Sequence, residues 1–321
     1  MSVTQTVVRE FEIDLAVLAV EPVAEDVVAL RLGRPDGLPL PGWTPGAHID
    51  LLLGDDLVRQ YSLCGRTSEP QSWRIAVLRA PDSRGGSKAV HEVQPGSTVR
   101  VRGPRNHFPV TSARRYVFVA GGIGITPLLP MIDEVEAAGA DWELHYGGRS
   151  LGSMAFVDEL RGFGERVHLV PQDEQGMLDL DGILGRPRPD TLVYACGPEP
   201  LLAAVEEHCA AWPSGALHLE RFSARTSEEA AVSEPFELVL QRSGKTLEVP
   251  ADRSVFEVVR QAGVSVLGSC LEGICGTCET EVVDGEVDHR DSILDDEERA
   301  SGEVMMICVS RCRSGRLVLD L

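Results

Sequence analysis

"SCLEGICGTCET", residues 269–280, decides how the rest of the chain is read. It sets Cys270, Cys275 and Cys278 in a C-x4-C-x2-C array, and three thiolates do not close a four-sulfur cage. Cys308 supplies the fourth, 29 residues intervening after Cys278. The full pattern, C-x4-C-x2-C-x29-C, is the spacing of plant-type [2Fe–2S] ligation. A tight loop gives three ligands and a distant strand closes the cage. Gly273 and Gly276 let the backbone wrap closely, so that amide hydrogens point at the sulfurs. A structural zinc site is the alternative, but zinc knuckles use paired C-x2-C motifs and the x4 spacing fits them poorly. Cys312, four residues past Cys308, reads as a spare thiol, with a ligand role as its alternative.

Working outward, "ARTSEEAAVSEP" (residues 224–235) is small, polar and acidic, the composition of a linker. Beyond it a hairpin-like pair ("FELVLQRSG", "KTLEVP") and a helix ("SVFEVVRQAG") precede the cysteine loop, and a strand follows near "CETEVVDGE". Before the linker, buried strand-like runs ("YVFVAGG", "WELHYGG", "RVHLVP", "TLVYACG") alternate with helical segments, which predicts a parallel sheet with helices on its faces. The first 110 or so residues show short alternating runs ("DVVALRL", "AHIDLLL", "WRIAVLRA", "STVRVRG") between Gly/Pro turns, the pattern of an antiparallel barrel. The fold class expected is therefore multidomain: antiparallel β-barrel, α/β parallel sheet, then an α+β segment.

The 321 residues exceed one ordinary core. A formal charge of −20 excludes wrapping of nucleic acid, since nothing neutralises a run of phosphates. Only two of the 30 basic residues are lysine, which reads as compositional bias. The first twenty residues lack the pattern of a secretory leader and no run of 18 apolar residues occurs, so a cytoplasmic, non-membrane protein is expected. Cysteines clustered near the C-terminus suit a reducing compartment and metal chemistry better than a disulfide framework.

Two glycine turns and one polar strand carry the remaining chemistry. "VFVAGGIGITPLLPMI" runs strand, turn, helix; Gly121, Gly122 and Gly124 would let a pyrophosphate approach a helix N-terminus. A tight connection with no ligand is the alternative reading. "YACGP" ends another strand of the same sheet, at the edge where ligands of open parallel sheets bind; Cys196 there is alternatively a small core residue. "RQYSL" puts Arg59 and Tyr61 on one strand face and Gln60 and Ser62 on the other, a cation for phosphate and an aromatic for a planar ring. Gly85, Gly86 and Ser87 stand before a helix as a second anion cradle. A nicotinamide gives two electrons as hydride whereas a [2Fe–2S] cluster takes one at a time, so a flavin is expected between them.

These motifs, with "RNHFP", "AFVDEL", "LERF", "DHRDSIL", "MMICVSR" and the terminal "LVLDL", resemble the phthalate dioxygenase reductase family over nearly the whole chain. The resemblance implies a six-stranded FMN barrel (residues 1–112), an NADH domain (113–223), the linker (224–235) and a β-grasp [2Fe–2S] ferredoxin domain (236–321). It implies FMN contacts from Arg59, Gln60, Tyr61 and Ser62, from Ala76, Val77 and Leu78, and from Arg84, Gly85, Gly86 and Ser87. It also implies Cys196, Gly197 and Pro198 beside a nicotinamide. Thr126 would face the flavin and Phe222 would cover its ring, or else Phe222 is an end-of-domain core residue. Cys196, Phe222 and Ser62 are the residues expected nearest the chemistry. Leu78 stands where some members carry lysine. Arg149 and Ser150 in "HYGGRS" could meet a 2′-phosphate, but the turn lacks a second cation and NADH is preferred.

The activity implied is NADH-dependent reduction of a terminal oxygenase, of Rieske type first and cytochrome P450 as alternative; a stand-alone flavin reductase is a further alternative. Residues 233–321 hold 18 acidic and nine basic side chains, either a steering surface for a basic partner or a solvated acidic face.

Overall fold

The computed structural model describes residues 12–54, 57–81, 85–223, 233–294 and 296–321. Two compact units divide it, Met1–Glu220 and Arg221–Leu321.

The first unit begins with strands β1 (Glu12–Ala24), β2 (Val27–Gly33), β3 (Ala47–Leu52), β4 (Val58–Ser62) and β5 (Trp73–Leu78), helix α1 (Gly86–Glu92) and strand β6 (Thr98–Asn106). The six strands form one antiparallel sheet in the order β4-β3-β6-β1-β2-β5, and among the described residues a single bridge, Leu63 to Ile75, joins its two ends into a barrel. Alternate side chains point inward. Leu15, Leu30, Ile49, Leu51, Leu63, Trp73, Ile75 and Val101 fill the interior and are almost inaccessible to water. Each such side chain contributes about 1.5–3 kcal/mol of burial.

A parallel layer follows: β7 (Arg115–Gly121), α2 (Ile125–Ala137), β8 (Asp141–Gly148), α3 (Val157–Arg161), β9 (Val167–Pro171), α4 (Gln172–Gln175), α5 (Leu180–Leu184), β10 (Thr191–Cys196), α6 (Glu199–His208) and β11 (Leu217–Glu220). All five strands run parallel in the order β11-β10-β7-β8-β9. Val117, Val119, Val193 and Ala195 pack toward α5 and α6, while Phe118, Leu144 and Tyr146 pack with α2. That second core also takes in Val27, Ala29, Cys64 and Ala76 from the outer face of the barrel. Arg74 on β5 donates to both carboxylate oxygens of Glu159 on α3, at 2.7 and 3.0 Å, and lies 4.7 Å from the Phe156 ring centre. Barrel and parallel sheet thus share one core and a bidentate ion pair.

The second unit carries β12 (Phe236–Leu240), β13 (Lys245–Val249), α7 (Val255–Gln261), β14 (Glu279–Asp284), β15 (Val287–Asp288), α8 (Asp296–Ser301), β16 (Val304–Met306), β17 (Arg311–Cys312) and β18 (Arg316–Leu319). Its main sheet runs β13-β12-β18-β14-β16, with β12 and β18 parallel and the other pairs antiparallel. Helix α7 begins at a capping box, Ser254 with Glu257, and buries Val255, Phe256, Val258 and Val259. This is a β-grasp arrangement, and the multidomain class expected from the sequence is the observed one.

Candidate active site and cluster loop

In the first unit the barrel seam is the first element of the site. The residues that would continue the Leu63–Ile75 bridge, Arg59–Ser62 on β4 and Ala76–Leu78 on β5, form two facing lips joined by no further ladder pair among the described residues. Unbridged backbone at a seam is where a planar, hydrogen-bonding ligand can substitute for a strand. Arg59, Gln60 and Tyr61 are half-buried and Ser62 is buried. Burial pushes the Tyr61 hydroxyl up to about 12, so it stays a neutral donor. Val77 points into the barrel core, whereas Ala76 and Leu78 face the second core. A β-carbon on Gly86 would lie 2.4 Å from Arg59 Cγ, so only glycine lets the arginine stem lie against this turn. Gly85 before it has a left-handed φ of 100°. The Ser87 hydroxyl accepts from Ala80 N at 3.1 Å, tying the turn to the end of β5. A guanidinium packed on a glycine turn fits a phosphate. Arg84 lies outside the described residues.

The glycine turns at the carboxyl ends of β7 and β10 are the second element. These strands are neighbours, Ala120 opposite Cys196. A β-carbon on Gly124 would lie 2.2 Å from the Cys196 carbonyl oxygen, and one on Gly121 would strike Leu201 and Pro198. The protein's own packing therefore requires Gly121 and Gly124. Gly122, with φ of 53° and nothing within 4 Å of a β-carbon, opens to space. Gly197 closes on Gly121 in turn, and Pro198 precedes α6 as its N-cap. Thr126 is buried and its hydroxyl donates to Ile123 O at 3.0 Å, fixing the turn. Cys196 is fully buried, which raises its thiol well above the usual range. Arg149 is exposed, while the Ser150 hydroxyl accepts from Ser153 N in a local cap.

Glu220, which sequence reasoning passed over, joins the two elements. It ends β11 opposite Cys196, and the Ser62 hydroxyl donates to its Oε2 at 3.4 Å. Burial pushes its carboxyl up to about 8, against the lowering effect of Ser62. At neutral pH it holds a proton beside a buried thiol and the lip of the seam. The signal was in the motif "LERF", two residues before the aromatic that was singled out. Phe222 itself, two residues past β11, is 42% exposed.

The cluster loop occupies the second unit. Cys275, Cys278 and Cys308 are buried and Cys270 is half-buried. Their thiols face one another in a chain, Cys275 to Cys270 to Cys308 to Cys278. Facing Cys275, and then Cys308, lowers the Cys270 thiol far below its usual range, whereas Cys308 is raised by Cys270 and Cys278. Gly273 and Gly276 both take left-handed φ, 72° and 70°, and Glu272 N–H points at Cys270 Sγ at 3.3 Å. Ser292 N–H donates to Gly273 O at 2.8 Å, and Phe256 N–H to Ile307 O at 2.9 Å, bracing loop and closing cysteine. Cys312 stands on β17 with its thiol 3.4 Å from Ser314 Oγ.

A nucleotide-type parallel sheet, an open-seamed barrel and a four-cysteine loop define a class: flavin–nicotinamide oxidoreductases coupled to a ferredoxin. The family of 2Fe-2S iron-sulfur cluster binding domains matches residues 238–313. The reductase subunit of the toluene-4-sulfonate monooxygenase system of Comamonas testosteroni is 44% identical over 97% of this chain and 99% of its own length. A solved phthalate dioxygenase reductase, described as a modular structure for electron transfer from pyridine nucleotides to [2Fe–2S], is 38% identical over 97% of this chain and 98% of its own, with a TM-score of 0.71. An intact type IV self-sufficient cytochrome P450 monooxygenase reaches 47% identity and a TM-score of 0.92 over 97% of this chain, which spans 41% of that longer chain.

The chain belongs to the phthalate dioxygenase reductase family. It is an oxidoreductase, the electron-transfer component of an oxygenase system, with FMN, NADH and a [2Fe–2S] cluster as its carriers. No helix among the described residues is long and apolar enough to cross a membrane.

Proposed function

We propose that the seam lips and the glycine turns bind flavin and nicotinamide against one another, and that the second unit passes electrons singly to a Rieske-type non-haem iron oxygenase. When bound, the flavin supplies the exchange between a two-electron donor and a one-electron acceptor. The observation that carries the reading is the Ser62–Glu220 contact, which spans 158 positions of sequence and brings the flavin lip to the nicotinamide edge. Arg59 holds the phosphate, Tyr61 lines the ring, and Ser62, Cys196 and Glu220 form the floor where a proton is held. The enclosed Cys196 thiol, raised by burial, keeps this floor uncharged; its role is positioning, not nucleophilic attack. Phe222, exposed at the end of the strand that carries Glu220, covers the flavin ring and yields to nicotinamide. NADH is preferred over NADPH because the Ser150 hydroxyl is engaged in its own cap, which leaves Arg149 as the one cation of this turn. Domain limits of 1–112, 113–223 and 236–321 fit this division of labour, in a reducing cytoplasm.

Partner turnover tests the reading. Purified protein with NADH should sustain a Rieske oxygenase, and Cys278→Ser should abolish that while leaving NADH-dependent flavin reduction. Full turnover by Cys278→Ser would instead make the chain a stand-alone flavin reductase. Likeness to the self-sufficient P450 favours a second reading, a P450 acceptor, and the same assay with a P450 separates the two. The acidic excess of residues 233–321 predicts that partner reduction slows as salt rises; a salt-independent rate would remove steering from the account.

A further inference from the structure

A cluster in the first unit belongs to none of this machinery. His145 on β8 and His168 on β9 are register partners, so their side chains leave the same face of the sheet side by side. Their rings stack with centroids 4.6 Å apart and planes 15° from parallel. Glu143, two residues before His145 on the same strand, shares that face. Its Oε2 lies 3.5 Å from His145 Nε2, a nitrogen hidden from solvent and without a hydrogen bond of good geometry. One ligand atom from each of the three side chains falls within 4.8 Å of the others. Arg188 donates to the other carboxylate oxygen, Oε1, at 2.6 Å and also holds Ile183 O, so it turns Oε2 toward the imidazoles. The three side chains line a cavity of about 960 Å³ that continues along α5 past Asp179 and Asp181.

Two imidazoles and one carboxylate, with the remaining positions open to a cavity, make the donor set that suits zinc and its borderline neighbours, not magnesium or calcium. Ligand atoms about 2 Å from an ion stand some 3.4 Å apart in a tetrahedron, which the Glu143–His145 pair already matches. The ligand atoms lie within 4.8 Å of one another, and closing the site means drawing in the third of them, on the exposed His168. We propose that Glu143, His145 and His168 bind a divalent transition-metal ion of the zinc class on the face of the nucleotide sheet.

Zinc is the probe. Full-length, cluster-loaded protein is taken through equilibrium dialysis against Zn²⁺, bound metal is read by elemental analysis, and X-ray absorption at the zinc edge reports the ligands. The expected result is one zinc per chain with nitrogen and oxygen scatterers only, and affinity lowered about tenfold or more in both His168→Ala and Glu143→Gln. His168 is exposed, so its variant leaves the core intact. Sulfur scatterers, unchanged affinity in both variants, or no zinc bound above the level of the double variant would each overturn the site.

Discussion

Replacing Glu220 by glutamine tests whether a proton is held at the junction of seam and nucleotide edge. The carboxyl's folded value of about 8 stands above the ordinary 4.5. Below the lower value both folded and unfolded chains hold the proton, and the group has no effect on stability. As pH rises the unfolded chain releases it first, so wild-type stability falls through this window and levels off above the folded value. From about pH 5.5 to about pH 8.5 the two titration curves diverge by roughly 2.3 more pH units, or on the order of 3 kcal/mol. Glutamine keeps the shape and an acceptor for the Ser62 hydroxyl but does not ionise, so it escapes this loss. For a unit of this size the gain corresponds to roughly 6–12 °C in midpoint. Thermal melts of wild type and Glu220→Gln, followed by circular dichroism across that range, should therefore separate progressively toward alkaline pH in favour of the variant. A midpoint difference that stays constant with pH would refute the reasoning, because a group of ordinary pKa contributes nothing that varies there.

Other perturbations have equally definite outcomes. Cys308→Ser removes the closing ligand, so inorganic sulfide and the cluster's visible bands should be lost while bound flavin remains; a retained cluster would move the fourth ligand to Cys312. Arg59→Ala should weaken flavin retention about tenfold or more, the worth of a charge-assisted hydrogen bond, as read by flavin fluorescence on dilution. Asp50 is fully buried with Arg102 Nε at 3.2 Å and Arg105 Nη2 at 2.6 Å, so Asp50→Ala leaves two half-buried guanidiniums facing each other. It should cost about 3–5 kcal/mol in urea unfolding, and an unchanged midpoint would discount the buried ion pair. Phe222→Ala should change the flavin–NADH charge-transfer absorbance, and an unaltered spectrum would remove that residue from the ring's cover.

The cysteine array was legible at once, because metal ligation is written in the order and spacing of a few residues within one loop. Strand alternation and βαβ texture are likewise local, and they gave the architecture of both units. The glycine turn was only half legible. Its spacing announced a phosphate loop, yet Gly121 and Gly124 are required by Cys196, Pro198 and Leu201, residues some 70 positions away that only packing brings close. Ala76, Val77 and Leu78 are expected together as flavin contacts; strand alternation turns the Val77 side chain into the barrel core, which leaves its backbone to face the seam.

The sequence by itself determined the class of chemistry, since redox ligation and strand or helix periodicity depend on neighbours along the chain. Tertiary structure alone decided which residues meet: Ser62 with Glu220 from opposite ends of the first unit, and His145 with His168 across parallel strands. Register between strands is set by burial of their shared faces over the whole sheet, and no single segment carries that information.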